Sequence, residues 1–465
     1  MCNPCHMCAV WHWFACPAHF GHNVCLIERG ERRIMRDVVI VSGCRTAIGA
    51  FGGSLKDIPA IDLGSLVMRE ALRRAGLRPQ TGKWFQDVSP DRVKEAGVTE
   101  LEQQFYAYDG GLQPVQVDEV VMGNVLQAGL GQNAARQACI RSGIPKETPA
   151  FTVNKVCGSG LKAITVGAQP IMLGEADVVV AGGMENMSCA PYALPKARWG
   201  YRMDVDGLGE LRDLMVFDGL WEIFYGFHMG NTAEEVAALY GITRELQDEI
   251  GALSHQRACA AIAAGVFKQE ILPVELPQRK GPPLVFDTDE RPLDTSKEKM
   301  AALKPAFRPN GTVTAGNSSG INDAAAAVVM MTREKANELG LTPVVSIKSF
   351  ASGGVDPKYM GIGPIPAIRK ALSRAGLSVA DLDVVELNEA FAAQAAACIQ
   401  ELSLDMEKTN PHGSGISLGH PIGCTGARQV VTLMHDMAHR GLKYGLVSMC
   451  IGGGQGMAAV FESEA

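Results

Sequence analysis

At 465 residues the chain is about three times the ~150 residues usual for one domain, which excludes a single small module. Lys+Arg 43 against Asp+Glu 50 leaves a formal net charge of −7, too little positive charge to neutralise phosphates, so nucleic acid and anionic membranes are poor partners. No apolar run approaches the ~18 to 20 residues that span a bilayer, and 13 cysteines, an odd number in a chain too large to depend on disulfides, point to a soluble protein with free thiols in a reducing, cytoplasmic compartment.

In chain order, residues 1–34 are compositionally foreign to the rest of the chain: Cys2, Cys5, Cys8, Cys16 and Cys25 crowd together with His6, His12, His19 and His22. The C-x2-C-x2-C spacing is that of zinc ligands but lacks a well-placed second half. The plain alternative is a disordered tail, or a translation start at Met35 just ahead of the strand-like residues 37–41. A secretory signal fits worse, because no basic stretch precedes an apolar core. An amphipathic helix then ends in Ala71-Leu72-Arg73-Arg74-Ala75-Gly76-Leu77, with glycine in the C-terminal capping position. Residues 78–116 fill a helix-to-strand connection where a handful would serve, and the next strand falls at 117–122.

The chain repeats itself. The sequence 71–77 closely matches Ala371-Leu372-Ser373-Arg374-Ala375-Gly376-Leu377, and 174–183 parallels 441–453. The second copy runs straight into a final strand, whereas the first resumes only near Ser319, before an apolar run ending at Met331. The expected organisation is therefore an extension (1–34), a first half (35–183 with 316–333), an inserted lobe (184–315) and a second half (334–465). Strands alternating with amphipathic helices predict an α/β fold of mixed sheets covered by helices, with a site where the halves meet.

Four motifs carry candidate chemistry. Cys157 lies in Asn154-Lys155-Val156-Cys157-Gly158-Ser159-Gly160, where a short β-like run meets a helix. The helix dipole there favours thiolate, and the flanking glycines allow close approach, although an inert packed cysteine is equally compatible with the pattern. Cys450 precedes Gly452-Gly453-Gly454, whose unshielded N–H groups suit an oxyanion but would also serve a tight turn. His420 sits in a Gly/Pro-rich loop, Gly419-His420-Pro421, and Asn388 falls between a strand and a helix, where a plain cap is the default.

These four motifs, in this order, resemble those of the thiolases, and the likeness runs from Met35 to the C-terminus with 78–116 as its main break. The resemblance implies a duplicated, five-layered α-β-α-β-α fold with an inserted loop domain, and a reversible Claisen condensation of two acetyl-CoA to acetoacetyl-CoA and CoA. It implies that Cys157 is acetylated with His420 as its base, that Cys450 moves the α-proton, and that His420 with a water held by Asn388 forms one oxyanion site. The N–H groups of Cys157 and Gly452 form the other. No metal or cofactor is implied; CoA is itself a substrate.

Leu220, His228, Met229, Ala306, Phe307, Ala315, Ser319, Ala390 and Phe391 match CoA-lining or acyl-lining positions, with Lys297, Lys299, Lys304 and Arg308 as charges for the phosphates. His228 and Met229 resemble the short-chain, biosynthetic subgroup. His412, where many thiolases have Asn, is a decoy for the catalytic histidine. Residues 189–211 resemble a tetramerisation loop, so a homotetramer is expected. The competing readings are a degradative 3-ketoacyl-CoA thiolase of broader chain length, a carrier-protein-dependent condensing enzyme, and a non-catalytic acyl-CoA-binding scaffold.

Overall fold

A computed structural model describes residues 26–28, 31–33, 35–94, 97–201, 203 and 210–464. Residues 1–35 and 36–465 are separate units. The first contains a small antiparallel pair, Leu26–Glu28 with Glu31–Arg33. The proposed zinc ligands Cys2, Cys5 and Cys8 lie outside the described residues.

The second unit is built around β1 (Val38–Thr46), α1 (Ala60–Arg74), β2 (Glu119–Gly123), α2 (Ala134–Arg141), β3 (Ala150–Val153), α3 (Ser159–Leu173) and β4 (Val178–Asn186). Next come α4 (Met229–Tyr240), α5 (Arg244–Ala264), β5 (Asn322–Thr332), β6 (Val345–Gly354), α6 (Pro364–Ala375), β7 (Val384–Leu387), α7 (Ala392–Leu402), α8 (Thr425–Arg440), β8 (Tyr444–Ile451) and β9 (Gln455–Ser463). The strands form one path in the order β7-β8-β9-β6-β1-β5-β4-β2-β3. Its two halves repeat one topology: β6, β9, β8 and β7 stand as β1, β5, β4 and β2, and the isolated parallel bridge Val385↔Thr409 falls where β3 lies in the first half. Among the described residues the two half-sheets pair with each other only through Val345↔Ile40 and Ser346↔Val39.

Helices α1 and α2 cover the outer face of the first half-sheet, and α6 and α7 that of the second. Between the half-sheets α3 and α8 pack on each other, which completes the five layers that the resemblance implies. A strand covered on both faces reads as a continuous apolar run rather than an alternation. All eleven residues of β5, including Ala324 to Ala327 and Val328 to Met331, are buried. The central helices approach closely because a Cβ on Gly160 would meet the Ala427 nitrogen at 2.7 Å, and one on Gly426 would strike the Leu161 nitrogen. Buried polar side chains are mostly paired. On α8, Arg428 bonds Glu386 at 3.1 Å, Thr432 bonds Glu270 at 3.1 Å and Asp436 bonds His412 at 2.7 Å.

Both excursions close on themselves. Leu77–Pro79 and Gln113–Val115 pair in parallel, so the 78–116 segment leaves and returns at one neck. Its helix Glu100–Phe105 is held by a Thr99/Glu102 capping box, and Glu102 also bonds Lys146. Its helix Lys83–Val88 buries no residue. The large lobe leaves after Asn186 and returns at Asn322, whose neighbour Asp323 pairs with Asn186. By register the lobe thus occupies 187–321, because β4 and β5 extend further than their apolar runs suggest. Among the described residues no helix is long and apolar enough to cross a membrane.

Candidate active site

The four motifs stand at the ends of elements that face the seam between the halves. Cys157 comes after β3 and lies two residues before α3. The turn is held by Ser159, whose hydroxyl accepts from the Lys155 N–H at 2.8 Å and donates to the Val156 carbonyl at 2.7 Å. Val156 adopts φ 47°, an outlier for a β-branched residue, and strain of this kind concentrates where a turn must aim a functional group. Backbone N–H groups of Cys157 itself and of Gly452 donate toward the Cys157 sulfur. Gly452 comes directly after β8 and leads into Gly453 and Gly454, with φ of 79° and 76°; a Cβ on Gly454 would also strike the Val355 carbonyl.

Cys450, one residue from the end of β8, is fully buried. Its thiol is pushed well above the ordinary range by burial and then by the nearby Cys157. The Cys157 thiol is itself raised to about 11, by burial and less so by the Glu185 charge, against the lowering effect of the two N–H donors. The expected helix-start activation of Cys157 to a thiolate is therefore not what the structure provides. Desolvation outweighs the dipole and the hydrogen bonds, and the resting group is a thiol.

His420 is buried, its pKa depressed to about 3 by burial and by Arg428, so it is a neutral imidazole. Its tautomer is set by its partners. The Thr425 hydroxyl donates to the Pro421 carbonyl at 2.9 Å, which leaves its oxygen to accept from His420 Nδ1–H at 2.6 Å. The lone pair is then on Nε2. The Asn388 amide nitrogen stands 3.4 Å from that Nε2, and the buried Asn388 Oδ1 has no hydrogen-bond partner among the described residues. Asn388 is not a helix cap: α7 begins four residues later with Phe391 in the capping position, and the Asn388 N–H bonds Ser448 of β8 at 2.8 Å. His412 is elsewhere engaged, with Asp436, which raises its pKa against the effect of burial.

Two apolar clusters meet at the thiols. Cys157 packs with Val125, Leu126, Met187, Met215 and Ile422, and Leu220 lies against them. Cys450 packs with Met229, Ala390 and Phe391, and Phe307 lies against that group. Phe307 stacks on His228 at 4.9 Å and meets Phe391 edge-on at 6.2 Å. A Cβ on Gly230 would strike the Phe307 ring, so the glycine lets the ring lie on the start of α4. Met229 Cε would come within 3.1 Å of a Cβ on Gly452, which ties the acyl-side residues to the oxyanion turn. The Ser319 N–H bonds the Ala390 carbonyl at 2.9 Å and the Ala306 N–H bonds the Val313 carbonyl at 2.9 Å, while Ala306 and Ala315 are exposed.

The four expected phosphate cations are not equivalent. Lys297 pairs with Glu249, Arg308 with Glu235, and Lys299 bonds the Asp294 carbonyl, whereas Lys304 makes no hydrogen bond or ion pair among the described residues. Sequence reasoning missed Thr425 and Glu185. The signal for Glu185 was a lone carboxylate in the apolar run Val178–Asn186; nothing marked Thr425 apart from its place five residues after His420.

Two buried thiols, a neutral imidazole with a fixed free lone pair and two converging N–H groups can transfer an acyl group through a covalent thioester and move a carbon-bound proton. Profile matches agree with that chemistry: residues 38–89 and 93–334 match the thiolase N-terminal domain and 341–463 the thiolase C-terminal domain, the break at 90–92 falling within the 78–116 segment. The chain belongs to the thiolase family. It is 51% identical over 430 residues to the acetyl-CoA acetyltransferase of Syntrophomonas wolfei, covering 92% of this chain and 99% of that protein. It is 52% identical over 431 residues to that of Cupriavidus necator, covering 92% and 100%. The crystal structure of the Bacillus anthracis acetyl-CoA acetyltransferase superposes with a TM-score of 0.82 at 43% identity, covering 93% of this chain and 100% of that one.

Proposed function

We propose that the protein is an acetyl-CoA C-acetyltransferase, condensing two acetyl-CoA to acetoacetyl-CoA and CoA in a reversible reaction. Cys157 Sγ attacks the thioester carbonyl as its proton passes to His420 Nε2. The N–H groups of Cys157 and Gly452 hold the tetrahedral oxyanion, and departing CoA takes the proton back. Cys450, its own proton passed to His420 Nε2, removes the α-proton of a second acetyl-CoA; the enolate attacks the acetyl-Cys157 carbonyl and expels the Cys157 sulfur, which takes a proton back from His420. The enolate oxygen accepts from the protonated Nε2 of His420 and from a water held by Asn388, whose buried Oδ1 has no partner among the described residues. The carrying observation is the convergence of both thiols with Gly452: the Gly452 N–H donates toward the Cys157 sulfur, and the nearby Cys157 helps to push the Cys450 thiol up.

Leu220, His228, Met229, Ala306, Phe307, Ala315, Ser319, Ala390 and Phe391 line the path of the CoA handle and acyl group. The packing of Phe307, His228 and Phe391 supports a narrow, short-chain pocket. Chemistry carried by thiols and imidazole needs no metal or further cofactor. The protein works in the cytoplasm as a homotetramer. Tyr192, Leu194, Trp199 and Leu211, all exposed within 189–211, support a subunit contact there, and light scattering at the monomer mass would refute it. Steady-state thiolysis tests the substrate: acetoacetyl-CoA is expected to be cleaved with higher kcat/KM than 3-ketooctanoyl-CoA, and the reverse preference would assign the protein to the degradative class.

A further inference from the structure

Glu185 stands near the end of β4, fully buried, with no cation against it among the described residues and four donors around it. Its Oε1 accepts from Asn124 Nδ2 at 2.8 Å and from the Leu126 N–H at 3.2 Å. Its Oε2 accepts from the Val125 N–H at 3.0 Å and from the Gly423 N–H at 2.9 Å. Burial pushes its carboxyl up to about 7 against the lowering pull of the Val125, Leu126 and Gly423 N–H groups, and the ionised form is costly this deep unless its whole acceptor capacity is used. These donors come from two different loops: one succeeds β2 in the first half, and the other carries His420 in the second. The fit leaves no slack, because a Cβ on Gly423 would lie 2.5 Å from Oε2.

The residues so held, or their direct neighbours, are Val125, Leu126 and Ile422, each at most 6% exposed, and all three pack in one cluster with Cys157. The wall of the site that receives the acyl group on Cys157 thus hangs from a single carboxylate. We propose that Glu185 is a positioning residue that sets the width of the acyl pocket by fixing Val125, Leu126 and Ile422 against Cys157. This rests on the acetyl-transfer reading given above. Glu185→Gln would present an NH2 group to two of the four N–H donors, so the two loops would part and the pocket would widen.

The experiment measures kcat/KM for thiolysis of acetoacetyl-CoA and 3-ketohexanoyl-CoA with the wild type, Glu185→Gln and Glu185→Asp, each checked for folding by near-ultraviolet circular dichroism. Wild type that fails to cleave acetoacetyl-CoA overturns the acetyl-transfer reading, whatever the variants do. With wild type active, the expected result is a kcat/KM ratio of long to short substrate that rises about tenfold in Glu185→Gln, the scale on which one or two methylenes are discriminated, and less in Glu185→Asp. A merely structural role would lower both rates in proportion, so an unchanged ratio in a folded variant overturns the proposal. Failure of both variants to fold overturns it too, since the carboxylate would then be a folding element rather than a determinant of pocket width.

Discussion

Cys157 and His420 both rest neutral: burial holds the thiol at about 11 and the imidazole at about 3. Proton transfer then accompanies attack, since no ion pair is formed in advance. Alkylation of Cys157 by iodoacetamide is accordingly expected to rise steadily above pH 9 with no inflection near neutrality, and an apparent pKa below 7 would contradict the neutral pair. The tautomer depends on one hydroxyl. Thr425→Val removes the acceptor of His420 Nδ1–H, and kcat is expected to fall on the order of tenfold or more, a share of the ~10²–10⁴ that an oriented base contributes. Thr425→Ser should stay close to wild type; equal loss in both would move the effect from the hydroxyl to packing. Cys157, Cys450 and His420 are legible in the sequence because reactive residue types sit close to glycines at element ends, and Asn388 because it falls between a strand and a helix. Thr425 is not, because a threonine five residues after His420 has no distinguishing pattern, and Glu185 shows only as a lone carboxylate in an apolar strand, its partners Asn124 and Gly423 being distant in sequence. The neutral state of Cys157 is equally hidden, because a sequence displays the helix start but not the depth of burial.

At the scale of elements, the seam of the molecule is the contact of α3 with α8, which brings the Cys157 turn and the His420 loop together. Gly160→Ala would set a Cβ 2.7 Å from the Ala427 nitrogen and 3.0 Å from the Cys424 carbonyl. Overpacking against rigid backbone is expected to cost roughly 2 kcal/mol or more. Thermal unfolding and turnover should fall together, and an unaltered melting temperature would show that the helices have room to separate. The strand and helix order is readable from apolar runs and glycine caps, but the ends of β4 and β5 are not. There, strand pairing between Asp323 and Asn186 carries polar residues into the sheet beyond the apolar pattern. Asn388 resembles a cap in sequence for a similar reason: its backbone is claimed by Ser448 across the sheet rather than by the next helix, and no local pattern shows it.

For the whole molecule, duplication is legible because two copies of one helix ending, 71–77 and 371–377, survive 300 positions apart. A single sequence does not reveal that the halves touch as sheets through only two residue pairs and otherwise through central helices. The site is therefore assembled from both copies unequally: the first supplies Cys157 and Glu185, the second Asn388, His420, Cys450 and Gly452. The separation of roles between the two thiols is the central claim, and acyl transfer can be read without turnover. Incubation of the wild type and of Cys450→Ala with acetyl-CoA, followed by intact mass and peptide mapping, is predicted to show a single acetyl group on Cys157 in both, with none in Cys157→Ala. An acetyl group on Cys450, or an unmodified Cys157 in active wild-type enzyme, would contradict it.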